Sequence, residues 1–336
     1  MSATESSAIP RQSPDALLRA VSRSFYLSIR ILPARLQEPV GLAYLLARTT
    51  DTIADTAHIS PELRLKTLNK LALLIQGAGD RTEIVDVIAS FVPSEESVAE
   101  RVLIQSFPEF LARLDQLAAD DRAQVRVLLE NITRGQSLDL QRFAHGDGVR
   151  ALATAAELDE YTYLVAGCVG EFWTRLCVRH LRNFTPRSEE EMLTLGKSYG
   201  MGLQLINILR DAGADLRTGR CYFPEEELAA AVLKPAEIIQ QPERFLPIYA
   251  KWLDQAERGL AAAMQYSLAI QNRRVRAATA LPALIGERTL ALLREAGATV
   301  LHRTIKVPRS EVRAITLKLA FTLASRRMIQ KLAPSA

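Results

Sequence analysis

The chain has 336 residues, 48% of them hydrophobic and 24% charged, with a formal net charge of +4. That balance describes a soluble globular protein with ample core, and the mild positive charge suits an anionic substrate or surface without the basic, aromatic-interleaved stretches of a nucleic-acid binder. Three cysteines, Cys168, Cys177 and Cys221, and four scattered histidines show neither C-x-x-C nor H-E-x-x-H spacing, which excludes a disulfide framework and a zinc site and fits a reducing cytoplasm.

Ala, Leu and Arg are abundant and apolar/polar alternation is never sustained, so an almost entirely helical chain is predicted. Residues 1–15, containing Ser, Pro and Gln and lacking the apolar stretch of a signal peptide, are expected to be a disordered lead. Residues 16–332 contain no Gly/Ser-rich or Pro-rich linker and are expected to form one domain. Pro33 and Pro39 bracket a loop or helix start, and Val40 to Ala57 reads as a helix carrying Asp51 and Asp55. A loop is predicted around Phe91-Val-Pro-Ser, and His145-Gly-Asp-Gly148 is a clear break. Helices follow over about 157–182 and 187–215, the second carrying Asp211 and Asp215. Gly219 to Pro224 is predicted as a loop that leaves Arg220 and Tyr222 beside the end of that helix. Further on, Ala314 to Ala324 is apolar but interrupted by Lys318, too short to span a bilayer. With Arg313, Arg326, Arg327 and Lys331 nearby, this helix has the composition of one that lies on an anionic membrane. The commoner meaning of such a pattern is a terminal helix packed on the core.

The two carboxylate couples, Asp51-Thr-Ile-Ala-Asp55 and Asp211-Ala-Gly-Ala-Asp215, hold the chemistry. A spacing of four places both acids of a couple on one helix face, one turn apart. Two such faces turned together would hold Mg2+ against a diphosphate, because hard cations take carboxylate and phosphate oxygens. Gln204, Asn207, Asp211 and Asp215 form a polar stripe among Leu203, Leu205, Ile206, Ile208 and Leu209. Such a stripe either faces solvent or lines a wet, metal-filled cavity, and spacing alone more often means a solvated face. Arg48 shares a face with Asp51, whereas Arg210 points about a quarter turn away from Asp211. Arginine suits diphosphate because its planar fork donates two hydrogen bonds, although each arginine alone would more often be a surface ion pair.

Five segments, Ser22-Arg23-Ser24-Phe25, Tyr44 through Asp55, Tyr161 through Gly170, Gln204 through Asp215, and Gly219 through Pro224, resemble the squalene/phytoene synthase family of head-to-head prenyltransferases. The strings N-I-L-R-D-x-x-x-D and G-R-x-Y-F-P are the most specific of these. The resemblance implies a single-domain, all-α isoprenoid synthase fold of the class I terpenoid synthase type around a central cavity. It also implies condensation of two farnesyl diphosphates through a cyclopropyl diphosphate, with NADPH-dependent reduction to squalene. A phytoene or dehydrosqualene synthase that ignores NADPH, and a non-catalytic scaffold, are the alternatives. Tyr161 matches the tyrosine that squalene synthases place near the reacting cation, and Tyr163 is expected to be a core or wall residue.

By the same resemblance, two or three Mg2+ ions are expected on Asp51, Asp55, Asn207, Asp211 and Asp215, and substrate at Arg23, Phe25, Arg48, Arg210, Arg220 and Tyr222. Tyr44, Gln204, Asn207 and Lys306 match positions near the dinucleotide, for which no Rossmann fingerprint is present. Many family members have an acid before the last Asp of each motif where this chain has Ala54 and Ala214, which thins the outer carboxylate shell. A cytoplasmic enzyme is expected, with peripheral contact to the inner face of the membrane as the variant reading; no protein partner is implied.

Overall fold

The computed structural model describes residues 14–82, 84–95, 97–143 and 148–332. Its helices are α1 (Pro14–Arg30), α2 (Ala34–Asp55), α3 (Pro61–Ile75), α4 (Ile84–Phe91), α5 (Val98–Gln105), α6 (Phe107–Gln116) and α7 (Ala119–Phe143). After the short strand β1 (Arg150–Leu152) come α8 (Ala155–Thr162), α9 (Cys168–His180) and α10 (Glu189–Arg217). Strand β2 (Arg220–Pro224) leads to α11 (Glu225–Ala230), α12 (Pro242–Ala269), α13 (Arg273–Ala296), α14 (Arg309–Phe321) and α15 (Arg326–Leu332). The all-helical expectation holds, and one π-helical turn, Tyr163–Gly167, joins α8 to α9.

Helix α2 begins at Ala34, six residues before its predicted start, and Pro39 lies buried inside it. A proline there forfeits one intrahelical bond, which is cheap because Arg35, whose carbonyl would have accepted it, is exposed. Along its buried face, Thr49, Thr52 and Thr56 donate their hydroxyls to the carbonyls of Leu45, Arg48 and Thr52 at 2.8, 2.9 and 2.7 Å, so no buried hydroxyl of this set is left unmade. Helix α10 is opened by Ser188, whose Oγ accepts from the Glu191 amide at 3.2 Å, and it is closed by Gly219 at φ +84°, a conformation that favours glycine.

Close helix contacts fix α10 at the centre. A Cβ on Gly170 of α9 would lie 1.9 Å from the Gly196 carbonyl oxygen of α10, and one on Gly202 would lie 2.8 Å from Gly259 Cα of α12. These backbones touch, and no larger residue fits. One apolar cluster joins α1 to α7, α9, α10 and α12 to α15. A second surrounds the C-terminal half of α10 with β2 and α12.

The predicted Gly219–Pro224 loop is a strand. β2 pairs in parallel with β1, Arg150 opposite Arg220 and Ala151 opposite Cys221, and the Arg150 amide donates to the Gly219 carbonyl at 2.9 Å. This pairing folds the chain back over the end of α10. At the N-terminus, α1 already begins at Pro14, so residues 14 and 15 of the expected lead are helical; the rest of that lead, and His145 to Asp147 of the predicted break, lie outside the described residues. The predicted loop at Phe91-Val-Pro-Ser is a short 3-10 turn, Val92–Ser94.

Candidate active site

Both carboxylate couples stand at the C-terminal ends of their helices. Asp55 is the last residue of α2, and Asp215 lies two residues before the end of α10. The carbonyl end of a helix is electronegative, so a carboxylate there is disfavoured by roughly 0.3–1 kcal/mol unless a cation joins it. Burial and mutual repulsion add to this. Asp51 is pushed up to about 6, first by burial and then by the charge of Asp55, with Arg48 pulling it back. Asp215 is pushed up to about 7 by burial and by Asp211, against the pull of Arg220. Asp55 is open to solvent at its tip but enclosed at longer range, and that enclosure raises its pKa while Arg220, Arg48 and Arg64 lower it.

Each couple has an arginine clamp. Arg48 donates to Asp51 Oδ2 at 2.6 Å and to Glu100 Oε1 of α5 at 2.5 Å. Arg210, which helical spacing directs away from Asp211, instead bends back and grips it with both nitrogens, Nε at 3.1 Å and Nη2 at 2.5 Å. Glu100 escaped the sequence reading because its partner lies 52 positions away. Tyr44, one turn before Arg48, donates to the Val21 carbonyl at 3.2 Å. It lines a polar cleft of about 480 Å3 with Val21, Ser22, Arg48, Ser97 and Glu100.

Arg220 joins the two couples. Its charge lowers the pKa of both Asp55 and Asp215, and Nη1 donates to Asp139 Oδ2 of α7 at 3.4 Å. The Tyr222 hydroxyl donates to the other oxygen of Asp139 at 2.7 Å. The rings of Tyr161 and Tyr222 stack with centroids 5.0 Å apart, and their hydroxyls interact, while burial holds the Tyr161 proton well above its ordinary pKa. Tyr161, Tyr222 and Asp139 thus form a hydrogen-bonded chain reaching from the aromatic wall to Arg220. Asp139 gave no signal in sequence beyond being one acid in a turn of mixed polar and apolar residues, Ser137-Leu-Asp139-Leu.

Of the other expected residues, Asn207 is exposed and donates to Gln204 at 3.4 Å, one turn before Asp211. Tyr163 donates to Glu171 Oε2 at 3.2 Å beneath Lys197, as a wall residue. Lys306 is exposed in the stretch before α14 and takes no part in the hydrogen bonds and ion pairs of the cluster. The side chains of Arg23 and Phe25 lie outside the described residues.

Among the described residues no three His, Cys, Asp or Glu side chains converge closely enough to hold an ion alone. The donor chemistry nonetheless fits Mg2+, which usually takes one or two carboxylates and completes its shell with water and substrate phosphate. Asp51, Asp55, Asp139, Asp211, Asp215 and Glu100 still outnumber Arg48, Arg64, Arg142, Arg210 and Arg220, leaving negative charge for bound cations to neutralise.

Residues 18–311 match the squalene/phytoene synthase family. The chain is 28% identical over 212 residues to a squalene synthase of Yarrowia lipolytica, an alignment covering 62% of this chain and 44% of that protein. It is 29% identical over 231 residues to a bifunctional lycopene cyclase/phytoene synthase of Gibberella fujikuroi, covering 68% of this chain and 37% of that one. The chain therefore spans less than half the length of these two curated relatives. In fold, it matches the structure of TcSQS with the ligand BPH1237 at a TM-score of 0.75 and 21% identity, covering 95% of this chain and 89% of that one.

Proposed function

The chain belongs to the squalene/phytoene synthase family, and from that premise we propose that it condenses two molecules of farnesyl diphosphate head to head and reduces the product to squalene. The observation that carries this reading is the meeting of both aspartate couples around Arg220, beside the Tyr161–Tyr222 stack. A non-catalytic scaffold has no use for carboxylates whose burial and repulsion raise their pKa values so far.

Asp51, Asp55, Asp211 and Asp215, with Asn207 alongside, would hold two or three Mg2+ ions, which when bound supply electrostatic stabilisation of the departing diphosphate. Arg220, whose charge acts on both couples, would contact diphosphate oxygens. Arg48 and Arg210 hold Asp51 and Asp211 in place; their remaining N–H groups are available to phosphate. Tyr161 and Tyr222 give the allylic cation an aromatic wall. As the second substrate's double bond attacks and a proton leaves, the Tyr161–Tyr222–Asp139 chain can pass it along, the tyrosines being neutral at rest.

NADPH, when bound, would supply the terminal hydride. Of the positions that resemblance assigns to it, Tyr44 lines the polar cleft beside Arg48, and Gln204 and Asn207 lie one to two turns before Asp211. The relatives divide between squalene and phytoene synthases, so the fate of the final cation is the point to test. Purified protein is incubated with farnesyl diphosphate and Mg2+, with and without NADPH, and hexane extracts are analysed by mass. Squalene formed only with NADPH supports the proposal. A dehydrogenated C30 product regardless of NADPH, or activity only with geranylgeranyl diphosphate, assigns the chain to the carotenoid side of the family.

A further inference from the structure

The two arginine clamps are built differently. Arg210 turns Nε and Nη2 onto Asp211 alone, the paired arrangement in which a guanidinium fork fits one carboxylate best. Arg48 does not adopt it. Its guanidinium is divided between Asp51 on its own helix, at 2.6 Å, and Glu100 on α5, at 2.5 Å, and its Nε is buried with no partner. A buried donor left unmade is costly. Closing on Asp51 as Arg210 closes on Asp211 would satisfy it, and the bond to Glu100 holds the fork short of that position.

Glu100 is itself fixed. It lies in the first turn of α5, where Ser97 Oγ accepts from the Glu100 amide at 3.4 Å and where the helix dipole favours an acid. Its carboxyl shares a hydrogen bond with Glu95, so one proton lies between the two acids and the pair presents a single negative charge to Arg48. Glu95 accepts from the Thr56 hydroxyl at 2.7 Å, and Thr56 directly follows Asp55. The two acids therefore brace the first couple from both sides, Asp51 through Arg48 and the end of α2 through Thr56.

This division of Arg48 bears on how a cation reaches Asp51. A guanidinium seated wholly on Asp51 would neutralise the carboxylate and repel a divalent ion from it. Shared with Glu100, it touches Asp51 through Oδ2 alone and has a second anion to rest on when Asp51 takes a metal. We infer that Glu100 is a positioning residue for the first couple: by holding part of Arg48, it keeps Asp51 available to a divalent cation bound with diphosphate. The inference rests on the reading of Asp51 as a metal ligand and deepens it, because it sets the two couples apart in how readily each admits its ion.

The test titrates Mg2+ at fixed inorganic diphosphate into chelator-stripped protein and follows the melting temperature, a readout that needs no turnover. E100Q keeps the shape and a neutral acceptor, and it should raise the Mg2+ concentration for half-maximal stabilisation by about tenfold, near the lower end of what a hydrogen bond to a charged group is worth. E100D, which keeps the charge, should recover most of that loss. In an R48M background E100Q should shift the concentration no further, because Glu100 acts through Arg48. An E100Q protein that melts as the wild type does in chelator and takes Mg2+ at the wild-type concentration overturns the inference. So does an E100Q shift that persists undiminished in R48M, or an E100D variant as weak as E100Q. A wild type indifferent to Mg2+ with diphosphate, or a D51N variant that responds equally, refutes instead the metal reading of Asp51, and the inference falls with it.

Discussion

Replacing Asp215 by Asn should stabilise the resting protein while abolishing its chemistry. Burial and the neighbouring Asp211 raise the Asp215 pKa from 3.8 to about 7. That shift, about three pH units, corresponds to about 4 kcal/mol. The cleft admits solvent and Arg220 offsets part of the repulsion, which leaves about 1–2 kcal/mol as the realistic effect. For a carboxyl raised on folding, stability is fully present below the unfolded value and is lost as pH rises through the folded one. Asp215 therefore destabilises the metal-free protein increasingly between about pH 4 and 7, and at about pH 8 the Asn variant should melt higher by about 2–4 °C. The advantage should shrink toward zero near pH 4, where the carboxyl is protonated in both states. Scanning fluorimetry in chelator measures this directly. Mg2+ with inorganic diphosphate should then stabilise the wild type but not D215N, and turnover should fall at least about a hundredfold. A variant that melts at or below the wild-type temperature throughout the pH range would refute the account of a site strained by unneutralised charge.

Asp51→Asn should likewise lower turnover by at least about a hundredfold in a steady-state assay, and near-normal activity would remove Asp51 from the site. Tyr161→Phe and Asp139→Asn should each reduce kcat with little change in KM, by about a hundredfold if the chain of hydroxyls carries the proton; an effect on KM alone would reduce Asp139 to a brace for Arg220. At limiting Mg2+ the rate should fall as pH drops below about 7, because Asp51 and Asp215, with pKa values of about 6 and 7, must be ionised to hold a cation. Raising Mg2+ should move that limb to lower pH, since metal and proton compete, and a limb indifferent to Mg2+ would contradict the ligand assignment. Gly170→Ala must push α9 from α10, because its Cβ would lie 1.9 Å from the Gly196 carbonyl oxygen; a loss of roughly 1–3 kcal/mol or more is expected in denaturant unfolding.

Long periodic segments were readable from sequence alone. The helix read at 187–215 is α10, Glu189–Arg217, and the single helix read at 157–182 is the α8–α9 run, divided by its π turn. The aspartate couples were legible because a repeat of four on an apolar helix is a local pattern. What escaped depends on distant partners. Residues 220–224 become a strand because residues 150–152 pair with them, and no local signal announces a three-residue strand about seventy positions upstream. Asp139 and Glu100 acquire their roles from Tyr222 and Arg220 of β2 and Arg48 of α2, elements distant in sequence that folding brings to them. Pro39 suggested a later start for α2, because sequence reasoning could not see that the forfeited bond lies on the exposed side of the first turns. The apolar residues of α14 were visible in composition, but the outward orientation of Leu317 and Phe321, both exposed, is a property of the packing.

The central claim is that the two aspartate couples serve one head-to-head condensation. The most direct measurement supplies farnesyl diphosphate labelled with carbon-13 at C1, with Mg2+ and NADPH, and records the carbon spectrum of the C30 product. A single enriched resonance, from the two equivalent central carbons that the head-to-head bond joins, absent from incubations with D51N or D215N, is the predicted result. A C30 product with two distinct enriched resonances, or release of farnesol alone, would contradict it.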